Sequence, residues 1–158
     1  MLSNDRSGGK MKVAIGSDHA GLELKTYLRE ELQKQGHEII DCGTRTPDSV
    51  DYPDYAAKVC ALVRMKEAEY GILVCGTGIG ISIAANKLKG IRAALCVNEF
   101  MARMARQHND ANVLALGGMV VGKPLGLSIA ETFLKEPFSG GERHIRRIQK
   151  TMALEEEC

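Results

Sequence analysis

Short apolar segments rich in β-branched residues alternate along this chain with segments of helical periodicity, and that alternation restricts the fold more than any other feature. Strands are expected at 11–16, 37–41, 71–75, 91–97 and 113–116. Helices are expected at 22–35, 53–65, 79–87, 99–107, 123–134 and 142–156. In the first of these, Leu22, Leu24, Tyr27, Leu28 and Leu32 gather mostly on one side, and Gly36 suits a C-terminal cap. Pro53 and Pro124 fall in first helical turns, where proline is tolerated. The run 71–75 is apolar without a break, as in a strand buried on both faces. Strands joined by single helices predict a parallel sheet with right-handed crossovers and helices on both faces. The expected class is therefore α/β: a three-layer α/β/α sandwich with a five-stranded parallel sheet and a C-terminal helix.

A chain of 158 residues suits one domain, expected over 11–158. The net charge of +1 gives no reason to expect nucleic acid or a membrane as partner. Charge is uneven, however: 143–150 is strongly basic and three glutamates follow at 155–157, a pattern that by itself reads as a solvated helix face. No apolar run approaches the ~20 residues of a membrane span. Residues 1–10 are polar and Gly/Ser-rich, without the apolar stretch of a signal peptide. They read as a flexible N-terminal arm or a non-native remnant. The cysteines at 42, 60, 75, 96 and 158 are odd in number and show neither a C-x-x-C pair nor metal-ligand spacing. They predict a reducing, cytoplasmic setting.

Open parallel sheets bind ligands beyond the carboxyl ends of their strands, so the loops at 16–21, 42–53, 75–80, 97–100 and 116–121 carry the functional question. The most informative is Cys75-Gly-Thr-Gly-Ile-Gly80. Gly76, Gly78 and Gly80 allow a tight turn and a close approach of backbone to ligand. The following helix offers unpaired N–H groups and a positive dipole end, which together suit an anion. The loop lacks the Gly-Lys-Ser/Thr of a P-loop, and it does not follow the first strand as a dinucleotide fingerprint must. Cys75 would face those amides, an environment that lowers a thiol pKa from about 8.5. Spacing alone leaves two readings open, an inert strand-end thiol and a base or nucleophile.

Two polar clusters are also open at this level. Asp18 and His19 follow the first strand, as a helix cap with an exposed ring or as ligands for substrate hydroxyls and an anion. His108, Asn109 and Asp110 precede the fifth strand, as a helix end and turn or as a site whose histidine moves protons.

Seven motifs occur in order: Gly16-Ser-Asp-His-Ala-Gly21, Asp51-Tyr-Pro53, Cys75-Gly-Thr-Gly-Ile-Gly80, Ile83-Ala-Ala-Asn-Lys87, Gly90-Ile-Arg-Ala-Ala94, His108-Asn-Asp110 and Arg143-His-x-x-Arg147. On these the chain resembles type B ribose-5-phosphate isomerase and the wider group with galactose-6-phosphate and allose-6-phosphate isomerases, from about residue 11 to 148. The resemblance implies a Rossmann-like sandwich and aldose–ketose isomerisation through an enediolate, a pentose phosphate pathway activity. It implies Cys75 as the base, His108 in ring opening and Thr77 as a proton relay. Asp18, Tyr52, Thr77 and Asn109 match positions that contact sugar oxygens, and the amides of Gly76, Thr77, Gly78, Ile79 and Gly80 would hold the enediolate. His19, Arg143 and Arg147 match phosphate contacts, the two arginines at i, i+4 on one helix face. No metal or cofactor is implied. The implied assembly is a homodimer or homotetramer with active sites at subunit interfaces. One position departs: many relatives carry arginine where this chain has Met119. That departure keeps open a hexose 6-phosphate (allose or galactose) as substrate, and a non-catalytic sugar-phosphate-binding relative is the other alternative.

Overall fold

The computed structural model describes residues 9–157. Of the expected arm, only Gly9 and Lys10 fall within them, and both are exposed. Five strands, β1 (Lys12–Ser17), β2 (Glu38–Asp41), β3 (Tyr70–Cys75), β4 (Ala93–Leu95) and β5 (Val113–Gly117), form one all-parallel sheet in the order β2-β1-β3-β5-β4. Six helices connect and flank them: α1 (Leu22–Lys34), α2 (Tyr52–Arg64), α3 (Ile79–Asn86), α4 (Glu99–Asn109), α5 (Lys123–Lys135) and α6 (Glu142–Ala153). A 3-10 turn at Leu154–Glu157 ends the described chain.

The sheet separates two cores. On one face Leu24, Leu28 and Leu32, one turn apart along α1, pack with Ile129 and Phe133 of α5 over Val13, Ile15, Ile72, Val74 and Leu114. On the other, Val59 and Val63 of α2 and Ile81 and Ala85 of α3 cover Ala14, Leu73, Val113 and Ala115. Each such aliphatic side chain contributes about 1.5–3 kcal/mol when fully buried. Gly71 is needed for this contact: a Cβ there would lie 2.7 Å from Val59 Cγ1. Every residue of β3 is buried, as its unbroken apolar run predicts for the central strand. Among the described residues no helix is long and apolar enough to cross a membrane.

Three elements differ from expectation by more than one residue. The last helix, expected over 142–156, ends at Ala153 and tightens into the 3-10 turn. β4 has three residues rather than seven. It is an edge strand, and the Asn112 and Asn86 side chains take the N–H groups of Arg92 and Ala93, each at 2.8 Å. At its other end the Asn98 side chain caps α4 by accepting from Met101 N–H. Third, α4 runs on to Asn109, so His108 and Asn109 occupy its last turn, and the left-handed cap is Asp110, with φ +43°.

Candidate active site

β1 pairs with β2 on one side and β3 on the other, so the chain reverses its winding direction between β1 and β3. The crevice outside the carboxyl ends of these two strands is where such sheets bind ligands. The loop after β1 and the glycine loop after β3 line it. They are tied together: Asp18 N–H donates to Val74 O at 3.2 Å, and Asp18 Oδ1 accepts from Gly21 N–H at 3.0 Å. A Cβ on Gly21 would meet Val74 O at 2.4 Å, so only glycine lets the loops approach this closely.

Cys75 is the last residue of β3 and is buried. Its Sγ accepts from Gly78 N–H at 3.1 Å, a donor that complements a thiolate. Gly78 holds φ +79°, and a Cβ there would strike Leu95 Cδ1 at 2.5 Å and Leu116 C at 2.8 Å. Thr77 is exposed, and its Oγ1 accepts from Ile79 N–H at 3.2 Å. Two of the loop amides are thus engaged within the loop itself. Those of Gly80 and Ile81, in the first turn of α3, lack a helical carbonyl, as at any helix start, where an anion is favoured.

The rim carries further polar groups. The Tyr52 ring lies against Gly80, 2.6 Å from where a Cβ would stand. His19 is exposed, and its Nδ1 accepts from Val50 N–H at 3.2 Å, so a neutral ring presents Nε2–H outward as a donor. Met119, after β5, is exposed, and its sulfur sits 3.3 Å from a Cβ position on Gly76. The other thiols are packed differently. Burial pushes the Cys60 thiol up to about 12 and the Cys96 thiol up to about 11.

His108, Asn109, Arg143 and Arg147 are not in this crevice. α4 returns from the carboxyl end of the sheet to its amino end, and His108 and Asn109 lie in its last turn. Asn112, just beyond, accepts from Gly71 N–H through its carbonyl at 3.0 Å. Gly71 and Cys75 are then separated by about 13 Å of strand at ~3.3 Å per residue. Arg143 and Arg147 lie on α6, which runs beneath the same amino-end edge. A cavity of about 680 Å³ opens there, walled by Asn86, Arg92, Asn109, Arg147, Ile148 and Met152. It includes Asn109 and Arg147 of the residues expected to bind substrate and touches none of those around Cys75.

The ribose/galactose isomerase family matches residues 13–151. Ribose-5-phosphate isomerase B of Escherichia coli (strain K12) is 46% identical over 145 residues, covering 92% of this chain and 97% of that one. The chain belongs to the ribose/galactose isomerase family. The solved ribose-5-phosphate isomerase B of Clostridium thermocellum superposes with a TM-score of 0.91 at 54% identity, covering 93% of this chain and 99% of that one. The enzyme from Mycoplasma genitalium, solved with bound ribulose-5-phosphate, superposes with a TM-score of 0.88 at 44% identity, covering 93% and 97%. The Rossmann-like α/β fold of this family member therefore matches those of its relatives.

Three features of this ribose/galactose isomerase family member were not assigned a role from sequence. Lys25 is almost fully buried on α1 and binds Asp41 at 2.9 and 3.1 Å, while Arg29 reaches the same carboxylate at 2.8 Å. Burial opposes ionisation of Asp41, but the hydrogen bonds from Lys25 and Gly43 N–H, the Lys25 charge and the bond from Arg29 hold its carboxyl below the usual range. This network fixes the segment after β2, whose Gly43 and Thr44 bond the backbone of Ser17, beside Asp18. Ser17 Oγ is buried without a partner among the described residues. Finally, His144, inside the Arg143 motif, is buried and stacks on His108. Burial, then His108, Arg143 and Arg147, hold its imidazole below the usual histidine range. The i, i+4 arginines were visible as a pattern; the histidine between them shows its partner only in three dimensions.

Proposed function

We propose that this chain interconverts ribose 5-phosphate and ribulose 5-phosphate, with Cys75 as the base. The observation that carries the reading is the Cys75 thiol, set at the sheet's switch point and bonded by the Gly78 amide, in a member of a sugar-isomerase family. The sugar enters as a closed ring, which His108 opens by proton transfer. Cys75 thiolate then takes the C2 proton of the aldose, leaving an enediolate, and returns it to C1 to give the ketose. Charge on the enediolate is met by preorganised amides at the start of α3, where no reorganisation is needed as charge develops. The Thr77 hydroxyl relays a proton between the two oxygens. Asp18, Tyr52 and Asn109 bind sugar hydroxyls, and His19, Arg143 and Arg147 bind the phosphate.

One sugar phosphate cannot span from Cys75 to His108 of the same chain, given about 13 Å of intervening strand. We therefore assign the working unit to a homodimer in which the Cys75 loop of one protomer faces His108, Asn109, Arg143 and Arg147 of the other. The free thiols of Cys42, Cys60, Cys75 and Cys96 support a reducing, cytoplasmic setting. The test is an isomerase assay on ribose, allose and galactose phosphates with wild type and Cys75→Ser. Turnover of ribose 5-phosphate that disappears in Cys75→Ser is expected. Undiminished turnover in that variant would sink the mechanism.

Met119 supports a second reading, turnover of a hexose 6-phosphate. Its uncharged thioether lies over Gly76, where the family resemblance leads one to expect arginine. A missing charged hydrogen bond weakens binding by about 1.5–3 kcal/mol, roughly ten- to hundredfold. If the missing bond is the cause, Met119→Arg lowers KM for ribose 5-phosphate. An unchanged KM, with better turnover of allose 6-phosphate by wild type, favours the six-carbon substrate.

A further inference from the structure

His108 and His144 come from different helices, and their rings lie nearly parallel, 10° apart, with centroids separated by 4.3 Å. The two partners are not equally free. His144 is 8% exposed, while His108 is half-buried. His144 N–H donates to Gly141 O at 3.0 Å in the first turn of α6. Its Cδ2 stands only 3.3 Å from where a Cβ on Gly141 would be, so the ring is packed against a position kept small. Arg143 Nε–H approaches His144 Nε2 at 3.4 Å. The segment before α6 is fastened to the last turn of α4, because Ser139 N–H donates to Gln107 O at 3.3 Å. His108, by contrast, has no hydrogen bond to either ring nitrogen among the described residues.

We propose that His144 is a positioning residue for ring opening: its buried imidazole is a fixed plane that sets the orientation of the His108 ring. The inference rests on the assignment of ring opening to His108. Opening a furanose breaks the C1–O4 bond as a proton leaves the C1 hydroxyl and another reaches O4. The electron pair of the C1 hydroxyl becomes the carbonyl and no electron is gained or lost overall. A group that moves those protons must lie within about 2.6–3.2 Å of them and point at them. The outer torsion of a histidine is broad and roughly two-fold, so a half-buried ring without hydrogen bonds does not hold such an aim by itself. A parallel aromatic face at van der Waals distance removes that freedom and leaves the ring edge, with both nitrogens, open to a substrate. Because Arg143 and Arg147 share α6 with His144, the same helix start that would hold the phosphate also sets the ring that would open the sugar.

The test separates ring opening from isomerisation by using 2-deoxyribose 5-phosphate, which opens and closes but has no C2 hydroxyl to become a ketone. Exchange between its two anomers is followed by magnetisation-transfer NMR with the intact enzyme. Wild type accelerates the exchange and His108→Ala does not. His144→Ala should slow it roughly tenfold, and lower kcat for ribose 5-phosphate similarly with KM changed by less than about threefold. His144→Phe, which keeps a flat ring of similar size without nitrogens, should restore most of the exchange. Exchange at the wild-type rate in His144→Ala, with His108→Ala slow, overturns this inference alone. Exchange as slow in His144→Phe as in His144→Ala overturns it too, since the flat face would then not be what matters. If His144→Ala does not fold, His144→Leu, which fills the space without a flat face, takes its place: slow exchange there with fast exchange in His144→Phe is expected, and equal rates in the two overturn the inference. Exchange at the wild-type rate in His108→Ala sinks both this inference and the role assigned to His108.

Discussion

Gly78 illustrates how one residue sets up the chemistry proposed for its neighbour. Its left-handed backbone, φ +79°, is what turns its N–H back onto Cys75 Sγ. An L side chain in that conformation costs about 1–2 kcal/mol. Overlap with the backbone of Leu116 and Gly117 adds about 1–3 kcal/mol, since neither can move aside. Gly78→Ala is therefore expected to lower the thermal midpoint measurably and to reduce kcat by more than the stability loss alone explains. A variant with wild-type melting and wild-type kcat would show that neither the left-handed turn nor the close packing at position 78 requires glycine. At this scale the sequence was only partly legible. Glycines at 76, 78 and 80 next to a cysteine marked an anion loop, because glycine spacing is a local signal. Which amide meets the sulfur is not local: it depends on Leu95 and Leu116, which crowd Gly78 from β4 and β5.

At the scale of elements, period and punctuation located the helices and strands well, since burial on one face of α1 or both faces of β3 is written into each segment. The shortness of β4 was not legible, because side chains as distant as Asn112 take the bonds that a longer ladder would use. Nor was Lys25, whose partner Asp41 lies on another element and whose charge gives no sign of burial in a helical pattern. That ion pair carries a prediction. Removing one member of a buried pair costs about 3–5 kcal/mol. Asp41→Asn should destabilise the chain by that order in urea unfolding and loosen the Gly43–Thr44 segment beside Asp18. The sign of the pH effect follows from the depressed carboxyl of Asp41. Its stabilisation is complete above the unfolded carboxylate range, near 4, and is lost as pH falls through the lower folded value. The acid limb of stability should accordingly be shallower in Asp41→Asn than in wild type. Parallel acid limbs would mean that Asp41 is not ionised through this network.

Taken as a whole molecule, the chain carries the two groups of proposed site residues at opposite ends of its parallel strands. Cys75, Thr77, Asp18, His19 and Tyr52 surround the carboxyl-end crevice, and His108, Asn109, Arg143 and Arg147 belong to the amino-end edge with the cavity beside α6. Periodicity implied a parallel sheet but not its strand order, which comes from long-range pairing; the switch point between β1 and β3 and the separation of the two groups became visible only with that order. In a two-fold dimer the same pair of surfaces meets twice, giving two composite sites. Mixing two inactive variants tests this most directly. Cys75→Ser and His108→Ala homodimers are unfolded together, refolded and assayed with ribose 5-phosphate. A mixed dimer has one site with both residues intact and one with neither, so random pairing should recover about a quarter of wild-type activity. A mixture no more active than its two parents would contradict the composite site and return Cys75 and His108 to separate roles.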